Sequence, residues 1–67
     1  MTDYDTMMAI LNNAKQPHFE YTQIGQGGNV RVVVLDEKSD GARYVPLLYF
    51  DLDTNAFVEA GVRYIDP

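Results

Sequence analysis

Pro17 divides the sequence into two parts whose apolar residues follow different periodicities. Before Pro17, apolar residues recur every three to four positions, which is the spacing of one face of a helix. That apolar stripe consists of Tyr4, Met7, Met8, Leu11 and Ala14. After Pro17, apolar and polar residues alternate or form short β-branched runs, which is typical of strands. A proline disfavours the helical conformation in the residue before it, so we expect the helix to end here.

The first part predicts a helix over about residues 3–15. Thr2 is followed three positions later by Asp5, which predicts a capping box at the start of this helix. Asp5 also brings negative charge to the helix N-terminus, and Lys15 brings positive charge to its C-terminus, where the helix dipole favours each. We expect the apolar stripe to pack on a sheet.

The second part predicts four strands, at about residues 18–24, 30–35, 42–51 and 56–65. The connections are short and rich in Gly, Asp and Asn, so neighbouring strands are expected to form hairpins. Pro46 has no N–H to donate, so it marks an edge position or a bulge in the third strand. The predicted fold is α+β, in a single domain over residues 1–67. One N-terminal helix packs on one face of a four-stranded antiparallel β-meander, in the order α-β-β-β-β.

The composition restricts the functions open to such a domain. The chain contains no cysteine, which excludes disulfides and thiolate metal sites. Five basic and ten acidic residues give a net charge of −5, which argues against direct binding to nucleic-acid phosphates. No apolar run approaches the roughly 18 residues of a membrane span, and the acidic N-terminus does not resemble a signal peptide. We therefore expect a cytoplasmic protein with no membrane partner.

The segment "YFDLDTNAF" spaces Asp51, Asp53 and Asn55 like the first oxygen ligands of a calcium loop. That loop also needs a glycine at its sixth position and a glutamate at its twelfth. This sequence has Ala56 and a valine there, between segments that are predicted to be strands. We therefore expect a hairpin turn in which Asp and Asn bond their own backbone, and no bound metal.

Residues capable of catalysis are scattered along the chain. His18, the single histidine, begins a strand, whereas Ser39, the single serine, lies in a polar connection. The glycine-rich segment 25–29 is followed by strand residues instead of a helix, so it predicts a hairpin loop and not a phosphate-binding loop. The paired carboxylates belong to loop tips, which do not provide the apolar pocket that general acid–base catalysis needs. We expect neither a cofactor nor enzyme activity.

Side chains alternate along a strand, so each strand residue belongs to one of two sheet faces, of which one helix covers only one. The residues expected to face the helix are Phe19, Tyr21, Val30, Val32, Val34, Leu48, Phe50, Val58, Ala60, Val62 and Tyr64. The residues expected on the opposite face are Arg31, Val33, Leu35, Val45, Leu47, Tyr49, Phe57, Glu59, Arg63 and Ile65. This second set is too apolar for a face left in water, which indicates an interaction surface. A bulge near Pro46 would exchange some of these residues between the faces.

We predict that the second face binds another protein or a second copy of the chain. Aromatic and arginine side chains are enriched among residues that dominate binding energy, which selects the strongest candidates from the second set. The predicted interface residues are Arg31, Val33, Leu35, Tyr49, Phe57 and Arg63. Replacing Tyr49 or Phe57 by Asp is expected to abolish binding without unfolding the domain.

The closing segment "YFDLDTNAFVEAGVRY" resembles the last hairpin of short acidic proteins, built from a helix and a β-meander, that bacteriophages and mobile elements encode. The matching residues are Phe50, Asp51, Asp53, Asn55, Phe57, Gly61 and Val62. Ala56 departs from a glycine of that pattern, and the connection "DEKSDGARYVP" is longer than expected. The motif covers 16 residues, and the layout covers most of the chain. Small phage proteins of this size are often stoichiometric inhibitors of host enzymes or bacterial defence systems, which the resemblance implies here.

The expected function is protein–protein interaction in a bacterial cytoplasm. The partner is a host or defence protein that the chain inhibits, a second copy of the chain in a homodimer, or each of these. One alternative is a self-assembling structural protein with no host target. A second alternative is an acidic mimic that occupies a nucleic-acid-binding site, with Asp36, Glu37 and Asp40 in place of phosphates.

Overall fold

The structure, a computed structural model, describes residues 1–36 and 44–64. Its elements are the helix α1 (Asp3–Asn13) and the strands β1 (His18–Gly25), β2 (Gly28–Leu35), β3 (Tyr44–Asp51) and β4 (Phe57–Tyr64). The strands form one antiparallel sheet in the order β1-β2-β3-β4, and α1 packs on one of its faces. The predicted α+β meander is confirmed. Within these two ranges, no helix has the length and apolarity needed to cross a membrane.

α1 begins with the capping box that the sequence predicts. The backbone N–H of Asp5 donates to Thr2 Oγ1 at 3.1 Å, and the backbone N–H of Thr2 donates to Asp5 Oδ2 at 3.2 Å. The Thr2 hydroxyl also donates to Asp5 Oδ2 at 2.8 Å. The hydroxyl bond and the backbone bond hold the pKa of Asp5 below its ordinary value. Such caps matter here because a helix of 11 residues is marginal on its own.

α1 ends at Asn13, earlier than its periodicity predicts. Lys15 has a left-handed backbone with φ 54°, and its N–H donates to the carbonyl of Asn12 at 3.1 Å. The N–H of Gln16 donates to the carbonyl of Leu11 at 2.9 Å, which completes the bonding pattern of a Schellman cap. The charge of Lys15 therefore lies beyond the last turn of the helix. No glycine marks this end in the sequence, so the earlier stop could not be predicted from it.

The first hairpin is tighter than its sequence suggests, because Gly25 pairs directly with Gly28. Gly28 has φ 108°, a conformation that a residue with a side chain rarely adopts. β2 consequently begins before the predicted residue 30. The predicted strand residues Ala42, Arg43 and Ile65 lie outside the described residues, as does most of the connection over 36–41.

β3 is regular at Pro46 and irregular at its far end. Pro46 pairs with Val62 on β4, and the pairing of β3 with β2 extends only as far as Leu47. Pro46 therefore has one neighbouring strand, which is the edge-like position that tolerates a proline. A register shift falls between Tyr49 and Phe50, and it leaves Val58 without a partner. The bulge lies next to the β3–β4 turn and not at Pro46.

The core lies between α1 and the middle of the sheet. Its buried members are Leu11 on α1, Val33 on β2 and Phe50 on β3. Tyr4, Met7, Met8, Leu35 and Leu48 are partly buried against them. The predicted apolar stripe of the helix therefore packs on the sheet, with the exception of the exposed Ala14.

Two hydrogen bonds tie the start of α1 to the start of β4. The backbone N–H of Phe57 donates to Asp3 Oδ2 at 2.8 Å. The backbone N–H of Tyr4 donates to the carbonyl of Asn55 at 3.1 Å. The helix is thus fixed at its first turn to a part of the chain more than fifty residues away in sequence.

Candidate functional site

The cross-strand pairs assign the described strand residues to two faces of the sheet. One face carries Val33, Leu35, Leu48 and Phe50, which pack with α1; we call it the helix face. No described element packs on the opposite face, which we call the open face. Its two central rows across the sheet are Phe19–Val34–Leu47–Gly61 and Tyr21–Val32–Tyr49–Glu59. Seven of these eight residues are apolar, aromatic or glycine, so the open face is an apolar surface.

The open face is uneven because its side chains differ in size from strand to strand. Val32 and Val34 on β2 are only 0% and 5% exposed, although no described element covers them. The larger side chains of β1 and β3 stand on either side of them. Phe19 and Tyr21 on β1 are 59% and 44% exposed. Rings on the edge strand therefore rise above a floor of valines.

A depression of about 360 Å³ lies on the open face. It is lined by Phe19, Tyr21, Val34, Leu35, Asp36, Val45, Leu47 and Arg63. A second, more polar depression of about 250 Å³ lies near the β1–β2 turn and is bordered by Tyr49, Val58 and Glu59. The first depression has an apolar floor with one cation and one carboxylate at its rim, a composition suited to apolar side chains of another protein.

The six predicted interface residues divide between the two faces. Tyr49 and Arg63 lie on the open face, as predicted. Val33 is buried under α1, so it is not accessible to a partner, and Leu35 packs against the same core. Phe57 packs edge-on against Phe50, with ring centroids 5.8 Å apart, on the helix face. The predicted face was therefore wrong for Val33, Leu35 and Phe57, whereas the binding roles of Tyr49 and Arg63 stay predictions.

Arg31 is also on the helix face, where it belongs to a polar cluster with Tyr4 and Glu20. Arg31 Nη1 lies 3.1 Å from Glu20 Oε1, and its guanidinium carbon lies 4.6 Å from the centroid of the Tyr4 ring. The Tyr4 hydroxyl donates to Glu20 Oε2 at 2.5 Å. Burial raises the pKa of Tyr4, and the bond to the Glu20 carboxylate raises it further. This cluster turns Glu20 towards the helix, so its neighbours Phe19 and Tyr21 face the open side.

The error in the predicted faces has a physical cause in β2. Val32, Val33 and Val34 are all buried, so apolarity does not distinguish the two faces of this strand. Several residues lie on the open face, although the sequence predicts them under the helix. They are Phe19, Tyr21, Val30, Val32 and Val34. Glu20 and Arg31, diagonal neighbours of opposite charge across a tight hairpin, indicate the correct grouping.

The turn that resembles a calcium loop uses its carboxylate to stabilise its own backbone. Asp51 Oδ1 accepts the backbone N–H groups of Thr54 and Asp53, both at 2.9 Å. These two bonds hold the pKa of Asp51 below its ordinary value. Asn55 has a left-handed backbone with φ 61°, which asparagine tolerates well. Over residues 1–36 and 44–64, no three His, Cys, Asp or Glu side chains are grouped as metal ligands.

The residues considered for catalysis are not brought together in the described chain. His18 Nδ1 lies 2.7 Å from the carbonyl oxygen of Gln16, which accounts for one ring nitrogen. Ser39, Glu37 and Asp40 lie outside the described residues. The expected lack of enzyme activity stays a prediction.

No protein-family model, curated protein or solved structure matches this chain. The resemblance of the closing hairpin to phage-encoded proteins therefore stays a prediction.

Proposed function

We propose that the chain is a small protein–protein interaction module whose contact surface is the open face. The observation that carries this proposal is the row of exposed rings beside a floor of buried valines, on a face that no described element covers. Apolar surfaces of this extent on small proteins generally mark sites of association.

The side chains of the open face support contact rather than catalysis. Phe19, Tyr21 and Tyr49 are aromatic, and Arg63 stands at the rim of the larger depression. Aromatic and arginine side chains are enriched at the centres of protein interfaces. The carboxylates of this face, Glu59 and Asp36, lie towards its edges instead of in a shared apolar pocket.

The acidic residues favour this proposal over mimicry of nucleic acid. Asp3, Asp5, Glu20 and Asp51 accept hydrogen bonds within the domain, so their carboxylates are engaged in holding the fold. A mimic needs carboxylates spaced along one surface and free to replace phosphates.

The finer proposal follows from the resemblance of the closing hairpin. In this more specific proposal, the module acts in a bacterial cytoplasm and binds a host or defence protein stoichiometrically. It inhibits that protein by occupying part of the protein's surface. No cofactor, metal or catalytic residue takes part in such a mechanism.

The test is site-specific cross-linking in the bacterial host. A photoreactive residue at Tyr21 is expected to cross-link to protein, whereas the same residue at Val62 is not. Val62 is the matched control because it is exposed on a strand of the same sheet but belongs to the helix face. Equal cross-linking from both positions, or none from Tyr21, would remove the open face as the contact surface.

A substitution completes the test. Tyr21→Asp is expected to abolish the cross-linked complex and leave the unfolding midpoint nearly unchanged, because Tyr21 is exposed on an edge strand. Tyr49→Asp, in a central strand, is expected to abolish it with some loss of stability. Phe57→Asp is unsuitable, since it would remove the ring that packs on Phe50. A Tyr21→Asp protein that is folded and still forms the complex contradicts the proposal.

A further inference from the structure

The side chains of the open face alternate in size across the sheet. From β1 to β4, the first central row contains Phe19, Val34, Leu47 and Gly61. The first three side chains are large, small and large, and the glycine has none. In the second row the order is Tyr21, Val32, Tyr49 and Glu59. In the first row the open face therefore has ridges on β1 and β3, a depression between them at Val34, and no side chain on β4 at Gly61, where the Tyr49 ring stands beside the gap.

We infer that the open face pairs with the open face of a second copy, about a two-fold axis that runs parallel to the strands and between β2 and β3. This inference rests on the proposed function, because it uses the same surface. Rotation about this axis brings each row of one copy opposite the same row of the other copy. The strands of the two copies then follow each other in reverse order. β1 of one copy then lies over β4 of the other, and β3 lies over β2.

In the first row, this arrangement places each large side chain opposite a small one or a glycine. Phe19 lies over Gly61 of the other copy, and Leu47 lies over Val34. A two-fold axis perpendicular to the strands would instead place β1 over β1, with rings against rings. The size pattern therefore selects the parallel axis, as good packing requires complementary surfaces.

The polar residue in the second row also acquires a suitable partner. Glu59 lies opposite Tyr21 of the other copy, so the tyrosine hydroxyl can donate to the carboxylate. Burial of either group without such a bond would be costly. Among the described residues neither Glu59 nor Arg63 has an ion pair within its own chain. Arg63, in the row next to Gly61, would flank the seated Phe19 ring, a favourable position for a cation beside an aromatic ring.

The area of the open face is sufficient for such a dimer. Each strand has eight residues, so four strands span about 26 by 19 Å at about 3.3 Å per residue and about 4.8 Å between strands. The projected area is about 500 Å² per copy, and uneven side chains increase the surface removed from water. The total of about 1,000 Å² or more reaches the lower range of specific interfaces.

Gly61 provides the sharpest test, because a side chain there occupies the gap, and its first carbon fits beside the residues of its own chain. A Cβ at this position would lie 3.7 Å from Cε2 of Tyr49, an ordinary contact, and the backbone of Gly61 is not in the left-handed region. Gly61→Val is therefore expected to exclude the Phe19 ring of the second copy. The unfolding midpoint of the variant, measured alongside, shows whether the two carbons beyond the Cβ also displace the Tyr49 ring of its own chain.

Sedimentation equilibrium over a range of concentrations measures the dimer directly. We expect Gly61→Val to raise the dissociation constant of the dimer at least about 30-fold, because overpacking occurs twice in a two-fold dimer. The matched control is Ala60→Val, which adds two carbons to the preceding residue, on the helix face, and should change the constant less than about threefold.

Rescue by a second substitution tests the pairing itself. Phe19→Ala removes the ring that Gly61→Val excludes, so the double variant should dimerise more tightly than Gly61→Val alone. No recovery in the double variant, or no effect of Gly61→Val on a dimer that does form, overturns the strand-parallel arrangement.

The dimer and the proposed function can fail independently of each other. A wild-type chain that sediments as a 7.6 kDa monomer at millimolar concentration overturns the second copy as occupant. If Tyr21 still cross-links to another protein in the host, the open face remains a contact surface for that protein. If it cross-links to nothing, both proposals fail.

Discussion

At the scale of single residues, the cluster of Tyr4, Glu20 and Arg31 determines which side of the first hairpin meets the helix. The Glu20 carboxylate accepts a hydrogen bond from the Tyr4 hydroxyl and forms an ion pair with Arg31. The Arg31 guanidinium stacks over the Tyr4 ring. The Tyr4 hydroxyl, the Glu20 carboxylate and Nη1 of Arg31 are thus bonded at a contact between helix and sheet that the rest of the core fills with apolar side chains. Arg31 Nε is buried there without a partner among the described residues. The aromatic rings of β1 are left on the opposite side as a consequence.

Tyr4→Phe is expected to lower the free energy of unfolding by about 1 kcal/mol, because it removes the hydroxyl that donates to Glu20 and keeps the ring. Urea unfolding followed by circular dichroism measures the change. Tyr21→Phe is the control, since Tyr21 is exposed and its hydroxyl makes no hydrogen bond within the described residues. A loss of equal size in both variants, measured at concentrations too low for dimers, would show that the cluster does not hold the helix.

At the scale of elements, the β3–β4 turn is stabilised by an ionised side chain. The backbone N–H groups of Thr54 and Asp53 bind Asp51 Oδ1, so the folded state favours the charged carboxylate and lowers its pKa. The unfolded chain has no such bonds and takes up a proton at a higher pH. The stability that Asp51 contributes is therefore present above the ordinary aspartate pKa of about 3.9 and is lost as pH falls through the lower folded value.

Asp51→Asn is expected to destabilise the domain at pH 7, because the neutral amide accepts these backbone bonds more weakly than the carboxylate does. The difference in melting temperature from the wild type should shrink as pH is lowered from 5 to about 2.5. Asp53→Asn is the control, since the Asp53 carboxylate makes no hydrogen bond within the described residues, and at pH 7 it should destabilise the domain less than Asp51→Asn does. A difference from the wild type that stays constant with pH for Asp51→Asn would contradict this role of the carboxylate.

The elements themselves were largely predictable, because each shows its periodicity locally. The helical stripe, the capping box at Thr2 and the four strands in hairpin order follow from spacing and turn residues alone. The end of the helix was not predictable, since Lys15 takes the left-handed position that a glycine usually marks. The bulge opposite Tyr49 was also missed, because no glycine or proline lies beside it.

The candidate site was predictable only in part. The sequence indicates correctly that one apolar sheet face is left over, and it places Tyr49 and Arg63 on it. It does not indicate which face of β2 meets the helix, because three consecutive valines make both faces apolar. The choice depends on the contact between Tyr4 and Glu20, which are far apart in sequence and belong to different elements.

At the scale of the whole molecule, the proposed dimer joins two chains that each carry a net charge of −5. Their mutual repulsion is screened by salt, whereas the apolar contact between the open faces is not weakened by it. The dissociation constant is therefore expected to fall several-fold between about 50 and 500 mM sodium chloride, where the Debye length shortens from roughly 14 to 4 Å. Sedimentation equilibrium at the two salt concentrations measures the shift.

A salt titration of a complex with a host protein separates apolar association from acidic mimicry. A complex in which carboxylates replace phosphates on a basic surface weakens as salt rises. A dissociation constant of the dimer that rises with salt would contradict an interface formed by the apolar rows of the open face.

The hydrogen bonds that join Asp3 and Tyr4 to the start of β4 determine when the helix can dock while the chain is being synthesised. The hairpins join segments that are neighbours in sequence, so each can form as soon as its two strands are available. The helix is synthesised first, but its first turn cannot be fixed until Phe57 has been added. At about 5 to 20 residues per second, that interval lasts roughly 3 to 10 seconds. Throughout it, the helix lacks the backbone partner that fixes its first turn, although it is made before every strand of the sheet.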